Sequence, residues 1–364
     1  MSKQSLCKWQ YSQRCVAIQQ RIKMRKFNIA VVGATGAVGE EIFRVLDELD
    51  FPVADVLPLA SAKSAGSEIE FKGKSYKVKE LTTTVFEEHE VDIAFFSAGG
   101  SVSEKFAPLA AASGAVVIDN PSHFRMDPDV PLVVPECNPG DIKEWKNKGI
   151  IANPNCSTIQ MVQILKPLND AFGIIRVDVS TYQAASGAGK EGMEELVYQM
   201  QKFFEFKLDE CEPKAFAHQL ALNVIPHIDV FLDNDYTKEE MKMVNETRKI
   251  LHKDIEVSAT CVRVPVLRSH SEAITISFER DVDAAAAKKV LENAPSIVVL
   301  DDPSKKLYPM PIHSSDTNET YVGRIRNDNF RKNMLHLWCA ADQIRVGAAT
   351  NAVRIAQIWA EQNY

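Results

Sequence analysis

The chain has 364 residues, 45% hydrophobic and 25% charged, with a formal net charge of −7. That length accommodates two domains and a core that needs neither disulfide nor metal, and the negative balance does not favour nucleic acid or an anionic membrane surface as a partner. Seven cysteines, an odd number with no C-x-x-C pair, argue against a disulfide framework and a zinc site and suit a reducing cytoplasm, while no apolar run reaches the roughly 18 residues that a bilayer demands.

Residues 1–23 carry Lys3, Lys8, Arg14, Arg21 and Lys23 without an acid. They read as a disordered N-terminal extension, with Met24 the physical start of the fold; an organelle transit peptide is the alternative. Phe27 to Val32 is a short apolar run ending at glycine, as a buried parallel strand does. Gly33 to Gly39 (GATGAVG) follows, and Ile42, Val45, Leu46 and Leu49 then recur at helical spacing. A second strand covers about 53–59, and 91–97 and 115–119 read as two more, with a helix around 107–113 between the last pair. Strands alternating with helices predict an α/β fold, a doubly wound parallel sheet.

Beyond about residue 155 the pattern changes. The stretches 177–183, 257–266 and 273–278 alternate faces, the signature of antiparallel strands covered on one side, with helices expected over 192–206 and 238–252. This predicts a second, α+β domain. Residues 344–361 have helical spacing (Val346, Ala349, Val353, Ile358).

A strand, glycines three apart and then a helix form a dinucleotide-binding arrangement, because the free N–H groups of the helix start face a pyrophosphate. Gly33, Thr35, Gly36, Ala37, Val38 and Gly39 are the contact candidates, although the G-x-x-G-x-x-G spacing departs from G-x-G-x-x-G. NAD binders place an acid after the second strand. Here Ser61, Lys63 and Ser64 stand instead, where Lys63 and Ser64 suit a 2′-phosphate, so NADP is favoured over NAD.

Asn153-Pro154-Asn155-Cys156 precedes a helical run. A thiol at a helix N-terminus is expected to ionise more readily, and a thiolate beside a nicotinamide implies addition to an aldehyde, hydride loss and a thioester. The proton needs a partner. His270, at a turn between two predicted strands, is the candidate acid/base, and the remaining histidines serve as controls.

Taken together, GATGAVG, NPNCSTIQ (153–160), YQAASGAG (182–189), EEMK (239–242), RVPV-x-x-x-HSE (263–272), VGRIR (322–326) and GAA-x-N (347–351) resemble the aspartate-semialdehyde dehydrogenase family, in family order from Met24 onward. The resemblance implies a Rossmann-type nucleotide domain of residues 24–153 plus 344–364, and a catalytic and dimerisation domain of 154–343. It implies Cys156 as nucleophile, His270 as acid/base and Gln183 as the residue orienting the acyl group. Arg263 would pair with the substrate carboxylate, Glu239 with its ammonium, and Arg125 and Lys242 with phosphate; Asn155 joins the substrate site. Ser186, Gly187 and Asn351 would be further cofactor contacts. Without the family, Glu239 and Lys242 read as a surface pair three apart, and Glu246 and Lys249 compete with them.

The implied reaction is NADPH-dependent reductive dephosphorylation of L-4-aspartyl phosphate to L-aspartate 4-semialdehyde, at the branch toward lysine through diaminopimelate, methionine and threonine. A homodimer is implied, pairing in some members into a tetramer. Lys63 departs from the arginine common in the family's NADP site. The rival readings are an N-acetyl-γ-glutamyl-phosphate reductase, whose acylated amine leaves Glu239 without an ammonium, and a non-catalytic nucleotide-binding relative, which need not keep both thiol and imidazole.

Overall fold

The computed structural model describes residues 25–364; the expected N-terminal extension and Met24 lie outside the described residues. The first sheet is built from β1 (Phe27–Val32), β2 (Val53–Ala60), β5 (Lys79–Glu80), β6 (Ile93–Phe96), β7 (Val116–Asp119) and β8 (Ile150–Ala152), in the order β5-β2-β1-β6-β7-β8. Every pairing is parallel. The crossovers include α1 (Ala37–Glu48) and α2 (Gly100–Ala112), and a hairpin, β3 (Glu68–Phe71) with β4 (Lys74–Lys77), follows β2. The strands are apolar on both faces because both are covered. Ile29, Val31 and Phe95 pack on one side with Phe43 and Leu46 of α1, and Ala30, Val32 and Phe96 on the other with Ala107 and Ala110 of α2.

The second sheet runs β10-β9-β11-β14-β13-β12, from β9 (Ile174–Gln183), β10 (Glu256–Arg263), β11 (His270–Phe278), β12 (Ile297–Val299), β13 (Thr320–Asn327) and β14 (Met334–Ala341). One expectation is corrected here. β9 and β10 pair in parallel, with Val179 opposite Ala259, whereas β11 is antiparallel to both β9 and β14. Alternation reports one covered face, not strand direction. The long crossover through α4 (Gly189–Phe204) and α5 (Lys238–Leu251) is what permits a parallel pair.

Between the sheets lies α3 (Cys156–Phe172). Its Ile159 and Val162 belong to the core of the first sheet, and its Met161, Ile164, Leu165 and Leu168 to that of the second, where Met243 of α5 and Leu291 of α6 (Ala284–Glu292) also sit. A helix buried on nearly all sides is a rigid mount, and Cys156 is its first residue. The chain ends in a π-helical turn, Arg345–Ala349, that runs on into α7 (Thr350–Asn363). Val353, Ile355 and Trp359 of α7 pack beneath β1, the Trp359 ring lying edge-on to Phe27 at 6.2 Å between centroids. Glu41 of α1, 3% exposed, receives Arg345 Nε at 2.8 Å and Arg268 Nη2 at 3.2 Å, so ion pairs tie α1 to the final turn and to the loop before β11.

Candidate active site

A cavity of about 910 Å³ opens at the carboxyl ends of β1 and β2, where doubly wound sheets bind ligands. Gly33, Thr35, Gly36, Ala37 and Val38 line its floor, Ser61, Ala62 and Ser64 one wall, and Ser186, Gly187 and Lys190 the other. Gly33 turns the chain at φ +86°, and Gly36 caps α1 without a side-chain bond to the first turn, which leaves the backbone N–H groups to face an anion. Gly39 does a different job: a Cβ there would fall 2.2 Å from the Gly33 carbonyl, so its hydrogen lets helix and turn touch. Lys63 is exposed between Ala62 and Ser64 and does not itself line the wall. Asn351 is not among the lining residues either. It is 2% exposed, and its Nδ2 donates to the Val133 carbonyl at 3.0 Å and to Asn153 Oδ1 at 2.6 Å, which makes it a brace under the turn before Cys156.

A second cavity, about 500 Å³, shares Val38, Ser97, Ser186 and Gly187 with the first. Around it stand Arg125, Asn155, Cys156, Gln183, Glu239, Lys242 and Arg263. Residues from five separate stretches of the sequence thus converge on one hollow, and each is held. Asn155 caps α3, its Oδ1 accepting from Ser157 N at 3.0 Å and Thr158 N at 3.2 Å, while its Nδ2 donates to Glu239 Oε1 at 2.8 Å. Gln183 Nε2 donates to the same Glu239 oxygen at 3.1 Å. Lys242 Nζ bonds Glu239 Oε2 at 2.9 Å and Asp229 Oδ2 at 2.8 Å. Glu239 and Lys242 are therefore a salt bridge three apart and cavity-lining groups at once. Burial alone would raise the Glu239 carboxyl; Lys242, Asn155 and Gln183 outweigh it and hold the pKa below the ordinary value. For Lys242, burial opposes the charge but the two carboxylates prevail, so its pKa is raised.

The expectation for the thiol is corrected. Cys156 stands at the helix N-terminus, half-buried, but desolvation first and Glu239 second push its pKa up to about 12, against the pull of Arg125, Arg263 and the Ser157 N–H. The helix end favours a thiolate, yet a dry pocket with a carboxylate nearby costs more than one helix terminus returns. In the unliganded site the balance favours the protonated sulfur.

His270 opens β11 and is fully buried. Its Nδ1 accepts the Ala184 N–H at 3.0 Å, which fixes the neutral ring's proton on Nε2. Burial, then the charge of Arg263, hold its pKa well below the ordinary value. His270 is not among the residues lining either cavity; it adjoins Gly187, which lines both, for a Cβ on Gly187 would lie 3.2 Å from His270 Nε2 and 2.5 Å from Arg263 Nη1. Arg263 in turn donates through Nη1 to the Ala184 carbonyl at 2.7 Å.

The competing pair on α5 has another task. Glu246 Oε1 accepts from Arg125 Nη1 at 3.0 Å, and Lys249 Nζ donates to the carbonyls of Arg125, Asp127 and Val130, each at 2.8 Å. Among the lining residues that were not site candidates from the sequence, three brace their neighbours. Asp229 holds Lys242. Gln343 receives Ser269 N at 2.9 Å and donates to Ser186 Oγ, joining the second glycine loop to the His270 strand. Gly347 lies on the π-turn, where a Cβ would fall 2.6 Å from Cys156 Cβ. Only the last carried a signal, the GAA run, and that run also fits ordinary helix packing. Among the described residues, no group of three His, Cys, Asp or Glu is arranged to hold a metal ion, and no helix is long and apolar enough to cross a membrane.

Residues 28–145 match the family described as semialdehyde dehydrogenase, NAD binding domain, and residues 165–346 the one described as semialdehyde dehydrogenase, dimerisation domain. The chain is 75% identical over 337 residues to the aspartate-semialdehyde dehydrogenase of Campylobacter jejuni, covering 93% of this chain and 98% of the relative. It is 54% identical to that of Helicobacter pylori strain J99, covering 92% and 98%. Among solved structures it is similar to aspartate semialdehyde dehydrogenase II of Vibrio cholerae complexed with ASA (TM-score 0.89, 47% identity, 93% and 100% covered). It is also similar to the Candida albicans enzyme with NADP (TM-score 0.68, 26% identity, 92% and 98% covered).

Proposed function

Because this chain belongs to the aspartate-semialdehyde dehydrogenase family of oxidoreductases, we propose that its two cavities carry out the NADPH-dependent reduction of L-4-aspartyl phosphate to L-aspartate 4-semialdehyde, through a thioester on Cys156. One observation carries the reading. A cysteine lines the same hollow as an arginine for a carboxylate, a glutamate for an ammonium and two cations for phosphate, and that hollow opens onto the glycine-turn cavity. These are the charges of an aminoacyl phosphate, laid out around one sulfur.

NADP fits the first cavity: Gly33 and Gly36 leave room for a pyrophosphate, and Ser61 and Ser64 offer hydroxyls for a 2′-phosphate, with Lys63 at the rim. When bound, the cofactor supplies the hydride. The chain's own residues do the rest. Arg263 takes the substrate carboxylate through its planar fork, and Glu239 exchanges its Asn155 and Gln183 contacts for the ammonium. The Cys156 sulfur, drawn toward ionisation by Arg125, Arg263 and the helix end, bonds to the acyl carbon as the C–O bond to phosphate breaks, and Arg125 and Lys242 receive the departing phosphate. Gln183, freed from Glu239, orients the acyl group. His270 donates a hydrogen bond from Nε2 to the carbonyl oxygen. To accept the thiol proton it must first give up the Ala184 N–H, so that the ring proton moves to Nδ1. After reduction the carbonyl re-forms as the C–S bond breaks, the sulfur retakes the proton held by His270, and the aldehyde leaves.

Residues 24–153 with 344–364 form the nucleotide domain in this reading, and 154–343 the catalytic and dimerisation domain. The working unit is a cytoplasmic homodimer, with pairing into a tetramer the further possibility to test by light scattering. The deciding assay is phosphate-dependent reduction of NADP⁺ by aspartate semialdehyde, run beside NAD⁺ and beside the N-acetyl-glutamate analogue. Reduction without phosphate, or preference for the acylated substrate, would overturn the reading.

A further inference from the structure

One buried carboxylate outside the groups assigned to substrate touches two of them. Glu246 stands on α5, 1% exposed, two turns beyond Glu239. Its Oε1 accepts from Arg125 Nη1 at 3.0 Å, and its Oε2 accepts from the backbone N–H of Asn155 at 2.6 Å. A single side chain therefore ties the cation on one wall to the residue immediately before the nucleophile. We propose that Glu246 is a positioning residue for the phosphate group: by bridging Arg125 and the Asn155 backbone, it sets the guanidinium at a fixed place relative to the Cys156 sulfur. This rests on the reading under Proposed function.

The remaining contacts of Arg125 fit that role. Its Nη2 donates to the Asn120 carbonyl at 2.6 Å, while Nε, buried, has no partner among the described residues. A guanidinium has five N–H donors, so two anchors leave hydrogens for an incoming oxyanion. The loop carrying Arg125 is also tied to α5 through the three carbonyls that Lys249 holds. Both the side chain and the main chain of the phosphate cation are thus fixed to the helix that presents Glu239 and Lys242.

Stability alone does not explain the arrangement, because buried ion pairs add little over apolar packing of the same volume. The second acceptor contact, one residue from the nucleophile, is what a purely structural pair lacks.

Glu246→Gln tests this in the full-length enzyme. The amide keeps the size, but its NH₂ must face either the Arg125 or the Asn155 N–H, donor against donor. The KM for inorganic phosphate in the oxidative direction is expected to rise about tenfold, the order of one charge-assisted contact. The KM values for aspartate semialdehyde and NADP⁺ should stay within about twofold, a split that a merely structural role would not produce. Should the amide variant fail to fold, Glu246→Asp withdraws the same charge by one methylene and is expected to raise the phosphate KM alone, by about threefold. Equal changes in all three constants, or an unchanged phosphate KM, would overturn the proposal. Absence of phosphate-dependent NADP⁺ reduction in the unmodified enzyme would instead overturn the reading it rests on.

Discussion

Gly187→Ala is a one-carbon change whose cost can be worked from distances. The new methyl would sit 2.5 Å from Arg263 Nη1 and 3.1 Å from His270 Cε1, against ordinary contact near 3.4 Å or more. Gly187 is not among the positive-φ residues, so alanine adds no backbone strain and the effect is steric. Neither neighbour yields freely. Arg263 Nη1 is bonded to the Ala184 carbonyl and His270 Nδ1 to the Ala184 N–H, so both are anchored to one residue. Relief requires Arg263, His270 or the loop to move by about 1 Å, and a misplacement of that size costs on the order of 100-fold in rate. We expect kcat/KM to fall about 100-fold in steady-state NADP⁺ reduction. Gly140→Ala is the control, since nothing lies within 4 Å of a Cβ there and φ is not positive. Activity of Gly187→Ala within about threefold of the unmodified enzyme would refute the claim that Arg263 and His270 are held in register across this glycine.

Three other outcomes are expected. Cys156→Ala abolishes turnover while NADPH still binds, and measurable residual turnover in a stopped assay would exclude the thioester route. Arg263→Leu raises the KM for aspartate semialdehyde by about 30-fold or more, the order of a truncated buried charge contact, and an unchanged constant would move the carboxylate site elsewhere. Glu272 is fully buried, and burial lifts its carboxyl pKa to about 8. A carboxyl protonated more readily folded than unfolded stabilises below its unfolded value and loses that contribution as pH rises through the folded one. Stability should therefore fall between about pH 4.5 and 8, by at most about 1.4 kcal/mol per pH unit. Glu272→Gln should flatten that slope in denaturant titrations, and a slope left unchanged would show that Glu272 does not titrate in this window.

The nucleotide half was legible because its physics is local. A buried parallel strand has to be apolar on both faces, and a pyrophosphate turn has to be made of small residues, so Phe27–Val32 and GATGAVG declare themselves. The second sheet was less so. Alternation marks a covered face but carries no direction, and β9 and β10 pair in parallel through a crossover whose course depends on distant packing. β14 went unread for a related reason: MLHLWCAA alternates over its first half, but its end, still paired with β11, is buried throughout. At the site, the helix start pointed to Cys156 and the family resemblance to Glu239 and Lys242, but neither pointed to their holders. Asp229, Glu246 and Gln343 are ordinary polar residues in the sequence, and only the fold sets them against the groups they orient. The thiol's pKa was misjudged because a helix terminus can be read from spacing, whereas desolvation depends on everything packed around it.

The contact between Gly347 and Cys156 has a mechanical side. The wall pressed against the sulfur comes from the π-turn that leads into α7, and Val353, Ile355 and Trp359 of α7 anchor that turn beneath β1. The seat of the sulfur is therefore set from the far side of the first sheet, and loosening the packing of α7 would unseat it without altering a residue that lines the substrate hollow.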